Sequence, residues 1–329
     1  QMAVDSLKLG AFEFIQKPFS SERLLNFLNR AIENVDLKKE KRTLESKLFE
    51  SYDIIGKSNA IEKVKNLISK LSTTESRVFI SGPAGSGKEL VARQIHKKSP
   101  RSKKPFVVVN GALLDPSKYE LELFGSENIN ETTNYGLFEK AKNSTLLIDE
   151  VTEIPLETQA KILRVLIDQK FKRVNGSKEI NVNVRIISTS SKNIIEEVAK
   201  GNFREDLYHR LNVVPIFLNS LKDRSEDIPE LLNYFSKKIS EVNGINKVIF
   251  DTNFDLFYKY NWPGNVRELR NLVERVSILA QNENINNINQ IVQDSLSNKH
   301  IIKEEDSYEN VFSYPLKEAR EKFEKNYLT

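Results

Sequence analysis

Four short runs of apolar, largely β-branched residues recur along the chain: Arg77-Val78-Phe79-Ile80, Phe106-Val107-Val108-Val109, Thr145-Leu146-Leu147-Ile148 and Val184-Arg185-Ile186-Ile187. Helix-length segments separate them. Runs that do not alternate polar with apolar residues must be covered on both faces. Residues 51–221 therefore predict an α/β domain, a mostly parallel sheet flanked by helices. After Asp223 the pattern turns helical. One helix is predicted from Ile228 to Ile239 and another from near Asp251. A third carries Leu269, Leu272, Val273, Val276 and Leu279 behind the turn Trp262-Pro263-Gly264-Asn265, so residues 222–298 read as a small all-helical domain. Residues 281–312, rich in Asn, Glu, Lys and Ser, read as a polar connector.

The two ends carry fragments of pattern too short to bury a core. In residues 1–30, Phe12 to Ile15 reads as a short strand ending at Lys17-Pro18, and Leu24, Leu25, Leu28, Ile32 and Val35 open an amphipathic helix. Residues 31–50 continue it as a charged linker helix. Leu37 and Leu44 stand one heptad apart there, equally compatible with pairing to a second copy and with a solvated surface. Residues 299–329 end in a helix with Leu316, Ala319, Phe323 and Tyr327 on one uncovered face. Both ends read as cut, and the expectation is a piece of a longer protein.

Composition narrows the class. The chain has 329 residues, with 50 Lys+Arg against 46 Asp+Glu for a net charge of +4. No apolar run approaches the ~18 residues of a spanning helix, so a cytoplasmic protein without membrane contact is expected. The absence of Cys removes thiol nucleophiles and thiolate metal sites, and His96, His209 and His300 are too scattered to form a metal cluster. The basic run from His96 to Lys104 lacks interleaved aromatics and reads as a solvated loop rather than a nucleic-acid surface.

The chemistry lies at two strand ends. Gly82-Pro83-Ala84-Gly85-Ser86-Gly87-Lys88 follows the first strand and precedes a helix from Glu89 to His96. In that context glycines let backbone N–H groups turn around a phosphate, the helix N-terminus adds a favourable dipole, and Lys88 reaches phosphate oxygens. Glu89 stands where a hydroxyl would ordinarily help hold Mg²⁺. Asp149 and Glu150 end the third strand; one carboxylate there can hold Mg²⁺ through water while the other polarises the attacking water.

Together Gly82 to Glu89, Leu147-Ile148-Asp149-Glu150 with Glu157 to Leu166, Phe203 to Leu211 (FREDLYHRL) and Trp262 to Leu269 (WPGNVREL) resemble the AAA+ ATPase module of NtrC-family bacterial response regulators. The resemblance runs from about Ile54 to Ala280. It implies an AAA+ P-loop NTPase fold with a helical lid, with ATP and Mg²⁺ as cofactors. It implies nucleotide contacts from Ile55, Gly56, residues 82–89 and the sensor Arg267, and a role for Asn110 in holding the catalytic Glu150 inactive. Arg204 and Arg210 match the pair that approaches a neighbour's nucleotide. Six residues on one helix turn through about 600°, so the two cannot share a face. One would be the finger and the other an interface ion-pair partner; which is which stays open, with Arg210 favoured. Phe12 to Phe19 resembles the last strand of a receiver domain, with Lys17 as its signalling lysine, and Pro315 to Leu328 the entry to a helix-turn-helix. The implied partners are further copies of the chain (dimers, or hexameric or heptameric rings), promoter DNA, RNA polymerase and a sensor histidine kinase.

Two departures qualify this. Family members that act on sigma-54 carry a Gly-Ala-Phe-Thr-Gly-Ala loop after the Glu-Leu-Phe-Gly segment. Here Glu122 to Glu127 is followed by Asn128-Ile129-Asn130-Glu131-Thr132-Thr133-Asn134-Tyr135, a shortened loop without the Phe-Thr pair, which argues against productive sigma-54 contact. Ser191 stands where the first sensor is ordinarily Asn, which predicts weakened γ-phosphate sensing. An ATP-hydrolysing core of a DNA-binding regulator is the leading expectation, and a non-hydrolysing ATP/ADP-binding module that sets oligomeric state is its rival.

Overall fold

The computed structural model describes residues 53–305 except 116–117, 128–132 and 282. The expected receiver remnant and linker helix, and the chain after residue 305, lie outside the described residues.

The chain enters through α1 (Asn59–Ser72), whose N-cap Ser58 accepts from the Ile61 N–H, and passes to β1 (Val78–Ser81) and α2 (Lys88–Lys97). Next come β2 (Phe106–Asn110), α3 (Tyr119–Phe124), the short antiparallel pair β3 (Gly125–Glu127) and β4 (Thr133–Tyr135), α4 (Leu137–Lys140) and β5 (Thr145–Asp149). A 3₁₀ turn leads into α5 (Leu156–Asp168), then the hairpin of β6 (Lys170–Lys172) and β7 (Glu179–Asn181). The α/β part closes with β8 (Arg185–Ser190), α6 (Ile194–Ala199), α7 (Glu205–Leu211) and β9 (Val214–Phe217). The helical part comprises α8 (Ile228–Asn243), the single turn α9 (Leu256–Lys259), α10 (Asn265–Leu279) and α11 (Ile285–Glu305).

The main sheet is wholly parallel, in the order β2-β5-β8-β1-β9. The four predicted strands are its interior and one edge. The fifth, β9, was not predicted: Pro215 interrupts it and only Ile216 is buried, a pattern suited to an edge. One face of the sheet packs Phe79, Leu146, Ile148 and Ile186 against α5 and α7, and the other packs Ile80, Leu147 and Ile187 against α1 and α2. Strand order reverses between β1 and β8, which places a crevice at their carboxyl ends, where open α/β sheets bind ligands.

A separate core holds the helical part, with Leu231, Trp262, Leu269, Val273 and Val276 at its centre. Trp262 is 1% exposed and donates its indole N–H to the Phe257 carbonyl at 2.8 Å. The stretch read as a polar connector is instead mostly the helix α11. Ile288, Val292 and Leu296, four residues apart, bury one stripe against this core, and the Asn-rich opposite face masked that spacing. The helix expected from near Asp251 is only the turn α9.

The basic run is not uniformly solvated. His96 is 5% exposed, with Nδ1 2.9 Å from the Thr145 hydroxyl and Nε2 3.1 Å from the Lys104 carbonyl. Arg101 reaches the Ser144 carbonyl at 2.7 Å. Burial pushes the His96 pKa down; the Lys104 carbonyl opposes this, while Arg185, Arg93 and Arg101 add to it. The stability that His96 contributes is therefore fully present above the unfolded histidine value of about 6.5, and is lost as pH falls from there through the lowered folded value. Urea unfolding midpoints should drop between pH 7.5 and 5, and His96→Gln should flatten that slope.

Candidate nucleotide-binding site

The loop Gly82–Gly87 leaves β1 at the crevice and runs into α2, with Gly87 in the left-handed region at φ 107° as its N-cap. Lys88 is 6% exposed. Its ammonium donates to the Gly82 carbonyl at 2.9 Å and the Pro83 carbonyl at 3.4 Å, and pairs with Glu150 Oε1 at 3.2 Å. Ser86 is buried, and its hydroxyl has no partner. Beside the loop, on the α7 side, a hollow is lined by Gly82, Pro83, Ser191, Asn193, Tyr208 and Phe217.

Asp149 and Glu150 sit next to each other but in unlike surroundings. Both Asp149 oxygens accept hydrogen bonds, Oδ1 from Thr189 Oγ1 at 2.5 Å and Oδ2 from Asn110 Nδ2 at 2.7 Å. Burial pushes its pKa up against the Thr189 bond, and the neighbouring charges of Glu150 and Glu89 push the same way. At Glu150 the backbone turns left-handed, φ 51°, swinging the side chain towards the residue after β8. There the Ser191 N–H and hydroxyl both donate to Oε2, at 2.7 and 2.8 Å. Burial opposes ionisation of Glu150, but the two Ser191 bonds and Lys88 outweigh it and hold the carboxyl below the usual range.

This arrangement corrects the expectation for Asn110. Its amide holds Asp149, which the parallel register sets directly across from it, while Glu150, turned left-handed, bonds Ser191 and Lys88. Ser191 holds Glu150 instead. Glu89 forms an i,i+4 pair with Arg93 at 2.6 Å, so its carboxylate is engaged on the α2 surface.

Arg204 and Arg210 are both exposed, and the rotation argument does not apply to them. Arg204 is the N-cap of α7, in extended conformation, and forks onto Asp206 at 3.1 and 2.7 Å; Arg210 lies on the last turn and, among the described residues, has only a 3.4 Å contact to the Leu166 carbonyl. Arg210 is the freer cation.

The helical part closes over the loop. Asn265, itself left-handed at φ 52°, donates from Nδ2 to the Ala84 carbonyl at 2.9 Å, and its Oδ1 accepts from the Leu221 N–H at 2.8 Å. The Arg267 N–H reaches the Gly85 carbonyl at 3.3 Å, and its guanidinium is exposed. Glu268 caps the turn by accepting from the Gly264 N–H at 2.8 Å. Contact is so close that a Cβ on Gly85 would lie 2.2 Å from the Gly264 carbonyl oxygen. Arg224 donates to the Ser86 carbonyl at 2.8 Å. Ile55 packs on the helical core, and a Cβ on Gly56 would lie 2.7 Å from the Asp227 carboxylate. Arg224, Asp227, Thr189 and Asn265 escaped the sequence reading. The one local cue was the charged Arg224-Ser225-Glu226-Asp227 just ahead of Pro229, which marks a helix start at the domain junction.

Away from the crevice, β3–β4 is bound to β6–β7. Val174 bonds the backbone of Gly125 and Glu127, and Arg173 pairs with Glu139 at 2.7 Å and Glu127 at 2.5 Å while its guanidinium lies 5.3 Å from the Tyr135 ring. The shortened loop springs from this platform, and residues 128–132 lie outside the described residues. Among the described residues no cluster of three His, Asp or Glu could hold a metal, and no helix is long and apolar enough to cross a membrane.

A parallel five-stranded sheet with a phosphate-type loop, paired acids on the neighbouring strand and a helical lid is the architecture of an AAA+ P-loop NTPase. Residues 54–217 match the Sigma-54 interaction domain family and residues 222–306 the AAA+ ATPase lid domain family. The nitrogen assimilation regulatory protein NtrX of Azorhizobium caulinodans is 40% identical, over 100% of this chain and 73% of its own length. Crystal structures of NtrX from Brucella abortus in complex with ADP and with ATP superpose with TM-scores of 0.76 and 0.74, each at 40% identity over 100% of this chain and 73% of theirs. The chain belongs to the NtrX-like response regulators of the NtrC family, transcription regulators of two-component systems that carry a sigma-54-interaction AAA+ domain.

Asp149, half-buried at the end of β5, makes stability depend on pH. The folded pKa of Asp149 lies above that of an unfolded aspartate. Its stability contribution is thus present below pH about 4 and lost as pH rises through the folded value. Asp149→Asn, which can keep partners in Thr189 and Asn110, should raise the thermal midpoint at pH 7 and change it little near pH 4, measured by calorimetry.

Proposed function

We propose that this protein binds ATP with Mg²⁺ and hydrolyses it in an oligomer, as the core of a DNA-binding two-component regulator. The observation that carries the reading is the convergence of Lys88, Glu150 and Asp149 on the mouth of the 82–88 loop. The residues present suit a nucleotide triphosphate. Among the described residues, Lys88 has no fixed partner beyond loop carbonyls and Glu150, and the Ser86 hydroxyl is buried without a partner. ATP supplies the phosphoanhydride to be cleaved.

The chain's own groups divide the work. Lys88 exchanges Glu150 and loop carbonyls for phosphate oxygens, leaving Glu150 Oε1 free. Glu150, held ionised by Ser191, is then the base that accepts a proton from the attacking water. Asp149, half-buried and without an ion-pair partner among the described residues, is the group a divalent cation would relieve, directly or through water. Ser191, read in the sequence as a weakened sensor, orients Glu150. Arg267 is exposed on the lid beside the loop and suits phosphate contact. Arg210 suits the neighbour's site in a dimer or ring, with Arg204 kept by Asp206. The identity with NtrX supports action in the cytoplasm with promoter DNA, RNA polymerase and a sensor histidine kinase as partners. The sequence of the 128–135 segment argues for regulation without productive sigma-54 contact.

A second reading has its own observation. Glu150 is engaged at both oxygens, by Lys88 and by Ser191, a state suited to holding nucleotide without turnover. Phosphate release measured against protein concentration separates the two: turnover that rises with assembly supports hydrolysis, and a flat, near-zero curve supports the binding module. With hydrolysis, Glu150→Gln should bind ATP within a few-fold of the parent while releasing phosphate at least ~100-fold more slowly. ATP at a hundredfold excess over its Kd should stabilise the parent by about 2.7 kcal/mol and leave Lys88→Ala unmoved in the same thermal scan.

A further inference from the structure

The outer side of the loop is held by the lid. Three consecutive carbonyls, of Ala84, Gly85 and Ser86, accept from Asn265 Nδ2, the Arg267 N–H and Arg224 Nη2. Arg224 is 4% exposed, and its Nε has no partner. It sits at a break in the 3₁₀ turn Lys222–Asp227, at φ −138° and ψ 43°. Three residues on, Asp227 is fully buried and accepts from the N–H groups of Lys57 and Ser58 and from the Ser58 hydroxyl, each at 2.7 Å. One turn of the lid thus grips both the loop and the segment beginning at Gly56.

Peptide geometry gives these bonds a consequence. In a planar trans peptide the N–H points opposite to the C=O. A donor fixed on the Ser86 carbonyl therefore sets the direction of the Gly87 N–H, and one on the Ala84 carbonyl sets that of Gly85. Phosphate affinity at such a loop depends on where those N–H groups point. A buried guanidinium short of partners is a poor stabiliser in its own right, since desolvation offsets its gain. Its value lies in what it positions.

We propose that Arg224 and Asn265 are positioning residues for the phosphate loop, so that lid docking and phosphate binding form a single equilibrium. The phosphate half of this rests on the nucleotide reading above; the lid's hold on the loop does not.

The test uses Arg224→Gln and Asn265→Asp, with Lys88→Ala as the nucleotide-site control. Asn265→Asp keeps the acceptor for the Leu221 N–H and loses the amide donor to the Ala84 carbonyl, with its weaker 3.5 Å contact to the Pro263 carbonyl; because the added carboxylate would itself repel ADP, nucleotide-free exchange is the readout this variant decides. That variant carries the decision if Arg224→Gln does not fold. In nucleotide-free protein, both variants should speed hydrogen exchange at Arg267, whose N–H donates to the Gly85 carbonyl, while the urea m-value stays that of the parent; Lys88→Ala should not. In calorimetric titration each should weaken Mg-ADP about tenfold or more, the loss expected for one charge-assisted or buried hydrogen bond. Bound ADP should slow exchange across residues 262–270 in the parent and not in the variants. Unchanged exchange at Arg267 in both variants overturns the proposal, as does parental ADP affinity in both. A parent that binds no nucleotide overturns the functional reading and the phosphate half, while nucleotide-free exchange still decides the lid's hold on the loop.

Discussion

A loop whose amides face a ligand must turn its carbonyls the other way, and buried carbonyls need donors. In this protein those donors come from another domain. Asn265, Arg267 and Arg224 supply the outer face of the 84–86 turn, and the absence of a side chain at Gly85 lets the Gly264 backbone come close enough. The reversed strand order between β1 and β8 opens the crevice. The buried Trp262 anchors the turn that reaches into it, and Asp227 ties the same junction to the Gly56–Ser58 segment.

The paired acids show how one strand end supports two chemistries. Adjacent carboxylates would ordinarily share an environment, but the left-handed backbone at Glu150 separates them. Asp149 stays on the strand axis, within the sheet and bonded to Thr189 and Asn110, where burial resists its charge. Glu150 turns out to Ser191 and Lys88, which favour its charge. The opposite shifts of these neighbours are what the proposed division of roles rests on, Asp149 towards a cation and Glu150 towards a water proton.

The strands β1, β2, β5 and β8 were legible because burial on both faces leaves unbroken apolar runs. The edge strand β9 was not, because Pro215 and one-sided burial erase that signal, and α11 was hidden by asparagines on its outer face. In the site, Lys88, Asp149 and Glu150 could be read from contiguous motifs. The partners that orient them could not. Asn110 faces Asp149 only through the parallel register, and Asn265 meets Ala84 across 181 positions of sequence. Contacts of that span leave no local periodicity. The spacing of Arg204 and Arg210 is a motif spacing and not a helical one, because the helix begins only after Arg204.

The same separation in sequence has a consequence for biosynthesis. A ribosome adding about 5–20 residues per second makes the 82–88 loop many seconds before residues 224 and 265 appear. During that interval β2, β5 and β8 can pair in turn, whereas β1 waits for β8 and β9, and the outer carbonyls of the loop must be left to water. Closing spans of 138 and 181 residues adds only logarithmically to the entropic cost, yet it places these contacts among the last to form. β9 ends at Phe217, just ahead of Arg224, so the strand that closes the sheet beside the loop and the first donor of the lid reach the nascent chain nearly together, and Asn265 completes the loop last.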